Sequence, residues 1–140
     1  MQHPLIERMI KGLLIVNSYG GLIYNHISTQ FFNEEINIDK IIAMASTIYT
    51  AMEILIHEGL CKLIGCYKRL RLSHERLSIT ALKTQTGMIF IIIHDNTDKP
   101  QDILAYTSKA HSHFVNTVLY SPEYYVEDRI NKNFFALEDE

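Results

Sequence analysis

Apolar residues in this chain alternate between short continuous runs and longer helical stripes, and their order predicts the architecture. Leu13-Leu14-Ile15-Val16 is apolar at every position, which marks a strand buried on both faces. Tyr19-Gly20-Gly21 supplies a turn, because glycine adopts positive φ without steric cost. Residues 22–28 return as a second strand and complete a hairpin. A long helix is expected over residues 39–58. Asn37 or Asp39 caps it, Gly59 stops it, and Ile41, Ala45, Ile48, Met52 and Leu55 recur at helical spacing.

Three strands follow. The first, near 67–73, sets Leu70 and Leu72 on one face and Arg69 and Arg71 on the other. The second, over 77–83, alternates Leu77, Ile79 and Ala81 with Ser78 and Thr80. Thr86-Gly87 turns the chain into a third, apolar run over 88–93. Pro100 and Asp102 open another helix with the stripe Ile103, Tyr106, Ala110, Phe114 and Val118, and Ser121-Pro122 ends it. A last helix is expected over 124–137, and residues 1–8 read as a variable lead-in.

The expected class is α+β in the order β-β-α-β-β-β-α-α. Short connections make the five-stranded sheet mostly antiparallel. The strands at 13–17 and 88–93 belong in its centre and need helices on both faces to cover them. The Lys68/Arg69/Arg71 strand suits an edge, where charge discourages unwanted pairing. The 140 residues read as a single domain, 1–140, long enough for a core without covalent staples.

Composition narrows the function classes. At 47% hydrophobic and 21% charged residues, the chain has the balance of a folded globular domain. A net charge of -3 gives no general reason to expect nucleic acid as a partner, and membrane contact is expected to be peripheral at most. Cys61 and Cys66 are too few for a disulfide framework and have no common zinc spacing. No secretory signal is visible at the start of the sequence, and the longest apolar run is far shorter than a membrane helix. The expected compartment is the cytoplasm.

Candidate chemistry is sparse. His111 and His113 lie two apart on a helix and face different ways, which separates them as metal ligands. His94-Asp95, at the end of a central strand, is the most enzyme-like pair. Gly20-Gly21 lacks the spacing of a phosphate-binding loop. The chain is therefore expected to bind proteins and not to catalyse a reaction, with no catalytic residues, cofactor or metal. The cluster Lys62, Lys68, Arg69, Arg71 and Arg76 reads either as a solvated edge or as a contact for an acidic partner or anionic headgroups. The acidic stretch from Glu123 to the end reads as a solubilising tail.

The helix at 39–58 carries more apolar surface than one sheet face requires. Its apolar residues fill about half the circumference, where an amphipathic helix needs an arc of roughly 100°. Ile42 and Tyr49 flank one side of the core stripe; Met44, Ala51 and Ile54 flank the other. Either the chain's own loops cover these flanks or a neighbouring subunit does. Together with Arg69 and Arg71 on the adjacent strand, they make the expected partner interface.

Three stretches resemble a known family. Residues 15–24, Ile-Val-Asn-Ser-Tyr-Gly-Gly-Leu-Ile-Tyr, are similar to the opening hairpin of the longin-like small subunits of the TRAPP vesicle-tethering complex. Residues 82–90 resemble that family's strand-threonine-glycine-strand signature, and the helix at 102–119 followed by Tyr120-Ser121-Pro122-Glu123 resembles its aromatic turn. The synbindin-like subunits are the nearest in kind. Animal synbindins carry a PDZ-like insertion where this chain has only residues 29–38. The resemblance implies a scaffold subunit acting in ER-to-Golgi transport, peripherally associated with early Golgi membranes. It further implies pairing with other small subunits through helix 39–58 and a sheet edge, and a platform at which the assembly promotes nucleotide exchange on a Rab-family GTPase. A small subunit of a clathrin-type adaptor and a ligand-sensing α/β domain are the alternative readings.

Overall fold

A computed structural model describes residues 10–28, 38–74, 77–95 and 97–116. The expected lead-in at 1–8 and the expected helix at 124–137 lie outside these residues, as do Arg76 and Val118. The described elements are β1 (Ile10–Val16), β2 (Leu22–Ile27), α1 (Ile38–His57), β3 (Lys62–Ile64), β4 (Tyr67–His74), β5 (Leu77–Lys83), β6 (Ile89–Asp95) and α2 (Pro100–Phe114). They form an α+β fold, with one antiparallel sheet in the order β2-β1-β6-β5-β4-β3.

The sheet has six strands where the sequence pattern predicts five. The additional strand, β3, pairs Lys62 with Arg69, Leu63 with Lys68 and Ile64 with Tyr67 around the turn at Gly65-Cys66. Three residues are too few to show a period of two, so β3 exists only through its pairing with β4. Its presence also corrects the expected edge. Strand β4, which carries Lys68, Arg69 and Arg71, is the last but one, and β3 ends the sheet.

The apolar runs at 13–16 and 89–93 occupy the sheet centre, as their lack of polar positions requires. Alternate residues divide between two cores. Leu13, Ile15, Phe90 and Ile92 pack with Ile103, Tyr106, Ala110 and Phe114 of α2 on one face. Leu14, Val16, Ala81, Ile89 and Ile91 pack with Ile41, Ala45, Ile48 and Met52 of α1 on the other. Each helix thus covers one face of the strands that need it.

Local chemistry sets the element ends. Helix α1 closes in a Schellman arrangement: Leu60 N–H donates to the Leu55 carbonyl (2.8 Å) and Gly59 N–H to that of Ile56 (3.0 Å), with Gly59 at φ 73°. Helix α2 opens with Lys99 extended and Pro100 in the first turn, where a missing N–H costs nothing. In the β1–β2 turn the Asn17 carboxamide oxygen accepts from the N–H groups of Tyr19 (3.0 Å) and Gly21 (2.9 Å).

Candidate functional site

The five α1 positions expected at an interface divide by burial. Met44, Tyr49 and Ala51 are half-buried, and Met44 and Tyr49 pack against the α1 core. Ile42 is 44% exposed and Ile54 is 59% exposed. At about 100° per residue, Ile42 and Ile54 stand about 120° apart around the helix and form no single stripe. Ile38 (exposed), Ile42, Tyr49 and Ile56 follow one flank at helical spacing; Met44, Ala51 and Ile54 follow the other. Tyr49 is tied down by its own fold, since its hydroxyl donates to the Ser18 carbonyl (3.2 Å) in the β1–β2 turn.

The Ile42 flank leads into a groove. Ile56 and the β3–β4 hairpin residues Leu63, Cys66 and Lys68 line it, with Lys83 and the turn 84–87 beneath, around a volume of about 340 Å³. Leu60 and Leu63 are 66% and 68% exposed, so this hairpin presents aliphatic surface next to its lysines. Lys83 donates to Glu53 of α1 at 2.9 Å and bridges the groove floor to the helix. Sequence reasoning did not find this groove, because β3 was not legible. The signal available was Gly65 one position after Leu63-Ile64, a two-residue turn of the kind that joins hairpin strands.

Arg69 and Arg71 do not join that surface. They alternate with Leu70 and Leu72 and lie on the opposite face of the sheet, beside Thr80, Leu82 and the start of α2. Arg71 donates to Ser78 Oγ (3.3 Å), which also contacts Ser73 Oγ (3.0 Å). The expected partner residues therefore lie on two faces that a single flat contact cannot reach together.

The enzyme-like pair His94-Asp95 sits on the Arg71 face, and His94 is fully buried. His94 Nδ1 is 2.7 Å from the Asp95 carbonyl oxygen, which only accepts, so Nδ1 carries the proton. Nε2 then accepts from the Thr80 hydroxyl at 2.8 Å. Burial pushes the imidazole below its usual pKa, and burial pushes the nearby Asp98 carboxyl, 3.6 Å from Nδ1, above its own. Asp98 also accepts from the Asp95 N–H (3.1 Å). With both ring nitrogens occupied by neighbours, the cluster acts as a joint that fastens the turn before α2 to the sheet.

His111 and His113 separate as their spacing predicts: His111 Nδ1 meets the Tyr67 hydroxyl at 3.1 Å, while His113 is exposed. Cys66 is exposed and Cys61 is half-buried, its thiol pushed up by burial. Among the described residues, no three His, Cys, Asp or Glu side chains converge as metal ligands, and no helix is long and apolar enough to cross a membrane.

Solved structures with the same fold place this geometry among roadblock and longin-like domains. MglB of Myxococcus xanthus superposes with a TM-score of 0.55 at 13% identity, covering 83% of this chain and 91% of that one. The gliding protein MglB from Thermus thermophilus gives 0.55 at 12% identity, covering 80% of each chain. A Roadblock/LC7 domain from Streptomyces avermitilis gives 0.53 at 11% identity, covering 81% of this chain and 92% of the other. At these identities the likeness is one of fold. Among curated proteins no sequence matches. The decisive comparison is with a family: the Sybindin-like family matches residues 10–138, from the first residue of β1 to within two residues of the last one here. The match spans the opening hairpin, the Thr86-Gly87 strand pair and both helices of the two-faced sheet, and the chain belongs to the Sybindin-like family.

Proposed function

We propose that this chain is a structural subunit of a TRAPP-like vesicle-tethering assembly in ER-to-Golgi transport. In this reading it packs against other small subunits and helps to form the platform at which a Rab-family GTPase exchanges its nucleotide. Membership of the Sybindin-like family supports the class of assembly. The observation that carries the packing role is the Ile42 flank of α1 together with the groove it leads to. Ile38 and Ile42 at the start of α1, and Leu60 and Leu63 beside the groove at its end, stay exposed after both sheet faces are covered, and the groove offers a concave seat. A solved MglB of the same fold is described in a tetrameric arrangement, which supports the use of such domains as packing units.

The role is geometric. The sheet holds α1 at a fixed height, and the Schellman closure at Gly59 directs the chain into the β3–β4 hairpin beside it. A neighbour that contacts both elements is thereby oriented without any covalent step. In this reading the protein is not an enzyme on its own, needs no cofactor, and associates peripherally with early Golgi and ER membranes through the assembly.

Copurification of the tagged full chain from its source cells tests the reading. Recovery with other small α/β subunits and with GTPase-exchange activity in the assembled fraction is expected. Recovery as a lone monomer, or with large coat subunits instead, overturns it.

A further inference from the structure

We propose that the groove between α1 and the β3–β4 hairpin seats an acidic, apolar-anchored segment of a partner protein. The proposal deepens the subunit reading and rests on it, by naming what the partner brings to this end of the interface.

Charge sets the hairpin apart. The chain as a whole has 16 acidic against 13 basic residues, yet residues 59–74 contain Lys62, Lys68, Arg69 and Arg71 and no carboxylate. Of these only Lys68 lines the groove, beside Lys83 of β5, while Lys62, Arg69 and Arg71 lie on the α2 face; the hairpin thus brings a cation and no carboxylate to the groove of an acidic chain. Lys68 is exposed at the groove, and no ion pair among the described residues engages it. Lys83, below it, has three donor protons, and the bond to Glu53 uses one of them. A carboxylate entering the groove meets one exposed ammonium and a second, partly shielded one with donors to spare.

Shape and polarity complete the specification. Ile56 and Leu63 give the groove aliphatic walls, so the anion must come with an apolar neighbour to cover them. The groove is concave, with room for about 340 Å³. A bilayer surface is flat over this distance and leaves such a hollow unfilled, whereas a peptide segment with side chains fills it. Strand β3 also ends the sheet among the described residues, none of which pairs with its outward backbone groups, so that side can take an extended segment. These features favour a protein segment over an anionic membrane.

The test compares the full chain with Lys68→Glu and Lys68→Arg in the copurification described above, alongside flotation with phosphatidylserine vesicles. Lys68→Glu is expected to cut recovery of the small α/β subunits by about ten-fold, and Lys68→Arg to stay within about three-fold. Lys68 is exposed, so thermal melts of both variants should match the parent chain. Cys66 adds a direct readout. In the Cys61→Ala chain, a benzophenone maleimide on Cys66 should cross-link to a subunit segment with Asp or Glu beside an aliphatic or aromatic residue. Unchanged subunit recovery with Lys68→Glu overturns the groove assignment and leaves the subunit reading standing. Loss of vesicle flotation with unchanged subunit recovery assigns the patch to membrane and overturns it too. So does a cross-link to residues 134–140 of the same chain. Absence of any small subunit with the parent chain overturns the reading and this inference together.

Discussion

Thr80 and His94 meet through a 2.8 Å hydrogen bond between β5 and β6, on the sheet face that α2 covers. Both side chains are buried, and the bond requires a neutral imidazole because Nδ1 already holds the proton given to the Asp95 carbonyl. The joint therefore couples folding to pH.

Burial holds His94 below its usual pKa and does the same to His111, so as pH falls below about 6.5 the unfolded chain takes up protons first and stability declines. The loss is complete once the folded histidines protonate. Asp98, whose carboxyl is pushed up by burial, acts oppositely: the folded state takes its proton first and recovers part of the loss in the acid range. Thermal midpoints are expected to fall on acidification from about pH 7 to about pH 5.5, and His94→Gln is expected to flatten that slope. Melts followed by circular dichroism across this range check it; an equally steep slope in the variant rules out His94 as the coupling group.

Gly20 and Tyr49 form a close contact that fastens the β1–β2 turn to α1. A Cβ on Gly20 would lie 3.1 Å from the ring, and its φ of 91° is unfavourable for any L side chain. Gly20→Ala is expected to destabilise by about 1–2 kcal/mol. Tyr49→Phe removes only the exposed bond to Ser18, and a loss of about 0.5 kcal/mol is expected. Urea titration of both variants separates backbone strain from the lost hydroxyl.

Met52 and Ile54 lie two residues apart on α1 with opposite roles. Met52 is fully buried and Ile54 is 59% exposed. Met52→Ala is expected to cost about 2–5 kcal/mol. Ile42→Ser and Ile54→Ser are expected to stay within about 0.5 kcal/mol of the parent chain. If the Ile42 flank packs against a neighbour, Ile42→Ser reduces subunit recovery while its melting curve is unchanged. A variant that lowers both equally reports on folding and not on assembly.

The two thiols should react at different rates. Cys66 is exposed, while burial raises the Cys61 pKa and reduces its thiolate fraction, despite the opposing effect of Lys68 and Lys83. Titration with a chromogenic disulfide is expected to show one fast and one slow thiol. Cys66→Ser should remove the fast phase alone.

Much of the fold was legible because burial on two faces leaves a pattern in the chain. The runs at 13–16 and 88–93 lack polar positions and stand in the sheet centre; the α1 stripe Ile41, Ala45, Ile48 and Met52 is buried residue for residue. Leu55, counted in the same stripe, is only half-buried where the helix nears its closure at Gly59. Thr107 joins the buried face of α2 without being apolar, because its hydroxyl returns to the Ile103 carbonyl at 2.9 Å.

By itself the sequence determined every described element except β3, the two central strands, the glycine turns and the Gly59 stop of α1, and the family, since each rests on local spacing or on a short run of residues. Tertiary structure alone decided the rest. A three-residue strand has no period to detect, so β3 and the true sheet edge appear only when β4 lies beside it. Alternation along β4 separates Arg69 and Arg71 from the leucines between them, but only the packed helices reveal that those arginines face α2 while the groove faces α1. An over-wide apolar helix says that something must cover its flanks. Where along one flank the fold covers the helix, at Tyr49, and where it leaves it open, at Ile42, depends on contacts from residues far away in the chain.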